Sequence, residues 1–166
     1  MIDFKDYIEN IPNFPKDGIL YRDIQPLLKE QRVFKEAIKR MGSMVETPDY
    51  WVAVESRGFL FASALSYKFG GGIKLIRKAG KLPNPHLISV DYGLEYGKDT
   101  LEISDDNDNG GKVVIVDDVF ATGGTIDAAE ELCKLAGYDV IGKLCLVDIG
   151  LTERTDVKSL VYYEKD

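Results

Sequence analysis

The sequence predicts an α/β domain built on a central, mainly parallel sheet flanked by helices. Three observations point there. The run Val113 to Val116 is a β-branched stretch of the kind that is buried on both faces of a parallel sheet. Trp51 to Val54, Phe59 to Phe69 and Ile73 to Ile76 follow one another as strand, helix and strand, the order of a parallel crossover unit. The chain has 166 residues, which suits a single domain over residues 1–166.

Taken in order, Phe4, Tyr7, Ile8 and Ile11 recur at helical spacing behind Asp3 as a cap, and Pro12 and Pro15 end that helix. The proline-punctuated FPKDGILYRDIQPLL of residues 14–28 reads as an ordered loop. Val33, Phe34, Ala37, Ile38, Met41, Met44 and Val45 mark an amphipathic helix closed by Thr47-Pro48. Residues 79–97 show no sustained period and read as a mobile lid. The acidic SDDNDNGG of residues 104–111 lacks the closing glutamate of a calcium loop and reads as a solvated turn. A helix through Ala136 and strands at Ile141 to Val147 and Leu160 to Tyr163 complete the order.

The strand at Val113 runs into Asp117-Asp118 and then Ala121-Thr122-Gly123-Gly124-Thr125 before a helix. Small residues at a helix N-terminus expose backbone N–H groups and partial positive charge, which together cradle phosphate. The spacing is neither a Walker loop nor a dinucleotide fingerprint. Two further strand ends carry charge: Glu55-Ser56-Arg57-Gly58, and Arg77-Lys78 followed by Lys81. Guanidinium and ammonium groups at these positions suit an anion, and ligands of open α/β sheets gather at the carboxyl ends of strands.

Composition narrows the partners. With 28 acids against 21 bases the net charge is −7, which disfavours nucleic acid while leaving room for a small anionic substrate. Cys133 and Cys145 lack metal spacing and read as buried apolar residues of a reducing cytoplasm. The acidic N-terminus does not read as a signal peptide and no 18-residue apolar run occurs, so no membrane association is expected. The sole histidine, His86, has no partner in sequence and reads as an exposed loop residue.

The segment VVIVDDVFATGGT resembles the phosphoribosyl pyrophosphate motif of the type I phosphoribosyltransferases. The blocks FP and GILYRDI, SRGF, IRK through GKLP, and LEYGK are similar, in order, to those of the adenine-specific branch. The resemblance implies a type I phosphoribosyltransferase-like fold with a small N-terminal hood over residues 1–28 and a flexible lid over 79–97. It implies Mg²⁺-dependent pentosyl transfer from phosphoribosyl pyrophosphate to adenine, giving AMP and pyrophosphate, by a homodimer. Asp117 and Asp118 would face the ribose hydroxyls, with Ala121, Thr122, Gly123, Gly124 and Thr125 on the 5-phosphate. Ser56, Arg57, Arg77, Lys78 and Lys81 would hold pyrophosphate, some of them from the neighbouring subunit. Leu20, Tyr21, Arg22 and Tyr96 would surround adenine, with Tyr21 stacked on it and Glu95 moving a proton to or from the purine. Glu95, Asp117, Asp118 and Arg57 form the catalytic set, and no protein group ligates the metal directly.

Three departures from the family pattern stand out: about one extra residue between Pro85 and Leu94, Val119-Phe120 in place of a leucine pair, and a short tail after Asp148. The alternatives are a transferase for hypoxanthine, guanine or xanthine, and a non-catalytic regulator that keeps the fold.

Overall fold

A computed structural model describes residues 1–94, 97–107 and 109–164. Among these residues the main sheet has seven strands: β3 (Tyr50–Val54), β4 (Gly72–Lys78), β5 (Leu87–Leu94), β6 (Gly97–Ser104), β7 (Gly111–Phe120), β8 (Tyr138–Asp148) and β9 (Lys158–Tyr162). Their order is β5-β6-β4-β3-β7-β8-β9; β4 through β9 along that order are mutually parallel, and β6 and β5 add antiparallel at one edge. Strands β1 (Glu9–Pro12) and β2 (Leu20–Asp23) make a separate antiparallel pair.

The central strands are apolar on both faces because helices cover both. On β3, Trp51 and Ala53 join one core cluster while Val52 and Val54 join the other; on β7, Val114 and Val116 divide in the same way from Val113 and Ile115. The first face is covered by α1 (Gln25–Lys29), α2 (Gln31–Gly42) and α3 (Gly58–Phe69), which contribute Leu27, Val33, Met41, Phe61 and Leu65. The second is covered by α4 (Gly124–Leu135) through Ile126, Ala129, Leu132 and Cys133. Burying a side chain such as Leu65 or Ile115 stabilises by about 1.5–3 kcal/mol each relative to exposure. Trp51, fully buried, donates its indole N–H to the Gly70 carbonyl at 2.8 Å, so its one polar atom is satisfied.

Four expectations change. The N-terminal helix is a single 3-10 turn, Phe4–Tyr7, capped as expected by Asp3, and residues 9–12 pair as a strand. The segment 14–28 is not merely a loop: it holds β2 and the start of α1, because Ile11 and Tyr21 are register partners in a hairpin with a five-residue-apart Asn13 to Gly18 turn bond. The long helix closes at Gly42, ahead of Thr47-Pro48, with the Ser43 N–H bonding to the Lys39 carbonyl. Within 79–97, residues 87–94 form β5, whose Ile88, Val90 and Tyr92 alternate toward the α4 side of the core.

The acidic segment also does more than turn. Asp106 pairs at 2.6 Å with the nearly buried Lys74 ammonium and accepts from the Asn84 side chain, which ties the β6–β7 connection to β4. His86 is exposed, and its carbonyl accepts from the Asp105 N–H. Among the described residues no helix is long and apolar enough to cross a membrane.

Candidate active site

Three parallel strands end in chemistry. β7 continues beyond its apolar run through Asp117 and Asp118 to Phe120, so the two acids sit side by side within the end of the strand. Asp117 opens on a cleft of ≈ 120 Å³ lined by Tyr92, Gly93 and residues 119–126. Asp118, buried, has its Oδ2 2.8 Å from Arg57 Nε. Gly58 packs closely on the strand end: a Cβ there would come within 3.1 Å of the Val116 carbonyl and 3.3 Å of Asp117 Oδ1.

Burial, and then the charge of Asp118, hold the Asp117 carboxyl well above the usual carboxylate range. Asp117 keeps a little exposure toward the cleft, but protein surrounds it on its remaining sides. Asp117 already accepts from the Asp118 N–H at 2.9 Å, and when neutral it can also donate its own proton, whereas the anion only accepts.

The expected phosphate loop is built by the turn between β7 and α4. Gly123 has φ +97°, a left-handed conformation that a side chain would strain, and it lets the chain reverse into the helix. No side chain caps α4, so its first N–H groups remain directed into the cleft. All five residues 121–125 line that cleft.

The cations gather on the far side of the acids. Arg57 also donates to the Tyr21 hydroxyl, and Tyr21 packs edge-on against Phe14 at 5.1 Å between centroids. One chain of contacts therefore runs from the hood through Arg57 to Asp118. Glu55 organises the second group: it accepts from the Lys78 N–H at 2.7 Å and the Lys81 ammonium at 2.6 Å, with Arg77 Nε 3.6 Å away. The Lys81 bond is the main reason that the Glu55 carboxyl lies below its usual range. Lys78 pairs with Asp99 of β6 at 2.9 Å. Arg77 Nε is buried with no hydrogen-bond partner among the described residues, an orphan donor facing a cluster of cations.

The structure thus brings together Tyr21, Arg57, Arg77, Lys78, Lys81, Asp117, Asp118 and residues 121–125, with Ser56 exposed at the turn before α3. Leu20 is exposed on β2. Arg22 departs from the expected grouping: its guanidinium bonds to Asn10 and lies 3.8 Å over the Tyr163 ring, holding the hood to the end of the chain. Alternation along β2 turns Arg22 away from the face that carries Tyr21. Glu95 and Tyr96 lie outside the described residues.

Tyr92 and Asp99 join the site without a place in the sequence reading, and Glu55, there only a charged strand end, proves to hold the cations. Tyr92 lines the cleft, and the alternation of Ile88, Val90 and Tyr92 was the signal for it. Glu55 and Asp99 hold the cations, and nothing local in the sequence marks Asp99. Among the described residues no group of three or more His, Cys, Asp or Glu side chains is arranged to hold a metal.

Paired strand-end acids, an uncapped glycine turn and a cation cluster on a parallel sheet define a phosphoribosyl-transferring enzyme, and residues 24–163 match the phosphoribosyl transferase domain family. The adenine phosphoribosyltransferase of Hydrogenovibrio crunogenus is 51% identical over 146 residues, covering 86% of this chain and 83% of that protein. The crystal structure of the Thermoanaerobacter pseudethanolicus adenine phosphoribosyltransferase superposes with a TM-score of 0.90 at 40% identity, over 96% of this chain and 98% of that one. The Saccharomyces cerevisiae enzyme, solved with an imino-altritol bisphosphate and adenine, gives 0.83 at 33% identity over 96% and 95%. The chain belongs to the adenine phosphoribosyltransferase family.

Proposed function

We infer that this enzyme serves purine salvage by transferring the 5-phosphoribosyl group of phosphoribosyl pyrophosphate to adenine, with AMP and pyrophosphate as products. The observation that carries the reading is the meeting of a hood aromatic, a cation cluster, a carboxylate pair and a phosphate loop at the ends of β3, β4 and β7. The yeast relative's complex with adenine supports the choice of base.

In this reading the N–H groups at the start of α4, with Thr122 and Thr125, bind the 5-phosphate. Asp117 and Asp118 accept from the ribose hydroxyls and so set the anomeric carbon in line with the purine nitrogen. The bond to pyrophosphate breaks as the new bond forms on the opposite face, and the developing positive charge needs a neutralised leaving group more than a protein nucleophile. Arg57, Arg77, Lys78 and Lys81 supply that neutralisation. Each is already paired with a carboxylate, Arg77 only through a long contact with Glu55 at 3.6 Å, so pyrophosphate exchanges one set of anions for another. Tyr21 offers the purine a π face, Leu20 an apolar edge, and Arg22 its backbone. Glu95 and Tyr96, which follow β5 in sequence, cover the base, and Glu95 holds or moves its proton.

Mg²⁺ fits this site as a substrate-borne ion. Two adjacent carboxylates, with no third grouped with them among the described residues, leave most of its oxygen ligands to pyrophosphate, ribose and water. When bound, the ion spreads the charge of the leaving group. A homodimer accounts for the exposed apolar side chains of Leu60 on α3 and Ile73 and Leu75 on β4, each 40–48% accessible. A cytoplasmic location suits substrates as highly charged as phosphoribosyl pyrophosphate.

The test is purified protein with Mg²⁺ and phosphoribosyl pyrophosphate, each purine offered in turn, with pyrophosphate release and nucleotide product measured. Adenine alone should turn over rapidly. Turnover of guanine or hypoxanthine without adenine would overturn the base assignment, and no turnover with any base would favour a regulator.

A further inference from the structure

The loop proposed to grip the 5-phosphate cannot hold its own shape. Residues 121–125 are alanine, threonine and glycine, Gly123 is left-handed, and no side chain caps the helix that follows. Backbone N–H groups bind an anion well only when they are held in advance.

Arg154, from the connection between β8 and β9, fills the space behind this loop. Its Nη1 lies 2.6 Å from where a Cβ of Gly123 would be, and its guanidinium carbon is 5.6 Å from the centre of the Phe120 ring. Its donors are committed elsewhere: Nε and Nη2 form a fork on Asp156 at 2.9 and 2.6 Å, and Nη1 donates to Asp127 in the first turn of α4 at 2.6 Å. Asp156 is anchored in turn by Lys143 of β8 at 2.7 Å, and Lys143 reaches Glu130 of α4. One planar group therefore ties the phosphate turn, the N-terminus of α4 and strand β8 together.

Resting on the reading of residues 121–125 as the 5-phosphate loop, we propose that Arg154 is a positioning residue that sets the loop's N–H groups for the phosphate without touching it. Arg154 lies behind Gly123 and not among the residues that line the cleft, and three of its five N–H donors face carboxylates, so it acts on the loop and not on the phosphate. A lysine carries the charge but cannot make the fork and the third bond at once. The role is specific to one end of the substrate. Arg154 should govern affinity for ligands with a 5-phosphate and leave pyrophosphate, held at the other strand ends, unaffected.

The experiment is calorimetric titration of AMP and of pyrophosphate with Mg²⁺ into wild type, Arg154→Lys and Arg154→Met, alongside steady-state kinetics and melting curves. Both variants should bind AMP about tenfold more weakly and raise KM for phosphoribosyl pyrophosphate similarly, as expected when a charge-assisted bond is misdirected. Pyrophosphate affinity, KM for adenine and kcat should stay within about twofold. AMP affinity within twofold of wild type, equal weakening of AMP and pyrophosphate, or full rescue by lysine would each overturn the proposal. If the methionine variant does not fold, the lysine variant carries the test. Thr122→Val with Thr125→Val probes the loop itself: unchanged AMP binding there would sink the loop reading, whereas weakened AMP binding with Arg154 variants unaffected would sink only the role of Arg154.

Discussion

Replacing Asp118 by asparagine should separate catalysis from stability. The carboxylate is buried, it is adjacent to Asp117, and its strongest contact is Arg57 Nε at 2.8 Å. Among the described residues its Oδ2 makes no well-aligned hydrogen bond, so it keeps the capacity to accept from a ribose hydroxyl. A hydrogen bond to a charged group contributes about 1.5–3 kcal/mol, which corresponds to a loss of roughly 10- to 150-fold in kcat/KM for phosphoribosyl pyrophosphate. The cost in stability is small for two reasons. Arg57 is more than a third exposed and finds water when its partner is neutralised, and the substitution also relieves the repulsion between the two acids. Steady-state kinetics against the pyrophosphate substrate and urea unfolding read the two quantities separately. A loss below threefold would show that Asp118 is a structural counter-ion to Arg57. An activity loss matched by a large fall in the unfolding midpoint would refute the assignment as well.

The elevated carboxyl of Asp117 has a pH signature. A native acid with a raised pKa binds more protons than its unfolded counterpart, so its contribution to stability falls as pH rises from the ordinary carboxylate range to the raised value. The wild type minus Asp117→Asn difference in unfolding free energy should therefore decline across that window, and a flat difference would contradict it. KM for phosphoribosyl pyrophosphate should fall over the same interval as the anion becomes available. Ile115→Ala, at a fully buried position of β7, should cost about 2–5 kcal/mol and lower the melting temperature by roughly 2–4 °C per kcal/mol, measured calorimetrically. Burial pushes the Cys133 thiol up to about 12 and raises Cys145 further, so both should resist alkylation at pH 8 until the protein unfolds; rapid labelling of native protein would show the core is open.

Much of the fold was legible because its signals are local. The run Val113 to Val116 reads as buried whichever neighbours it finds, and the Val33 to Met41 stripe reads as a helix face without knowledge of what it covers. The strand at 87–94 was missed although Ile88, Val90 and Tyr92 alternate, because glycine and proline in the flanking residues outweighed three positions of period two. The N-terminal turn and its strand look like one helix in sequence because Phe4, Tyr7, Ile8 and Ile11 satisfy helical spacing, while pairing with β2 is a contact that no local pattern shows.

By itself the sequence determined the chemistry at hand: two acids and a glycine turn after one parallel strand, an arginine beside a glutamate after a second, and three cations after a third. Side-chain type and helix N-terminal N–H groups are properties of short segments, so they can be read in place. Only the tertiary structure decided the partners. Arg57 to Tyr21 and Asp118, Lys81 to Glu55, Lys78 to Asp99, and Arg154 behind Gly123 all join residues far apart in the chain. Electrostatic energy depends on distance and desolvation, and both are set by which strand ends the sheet brings together.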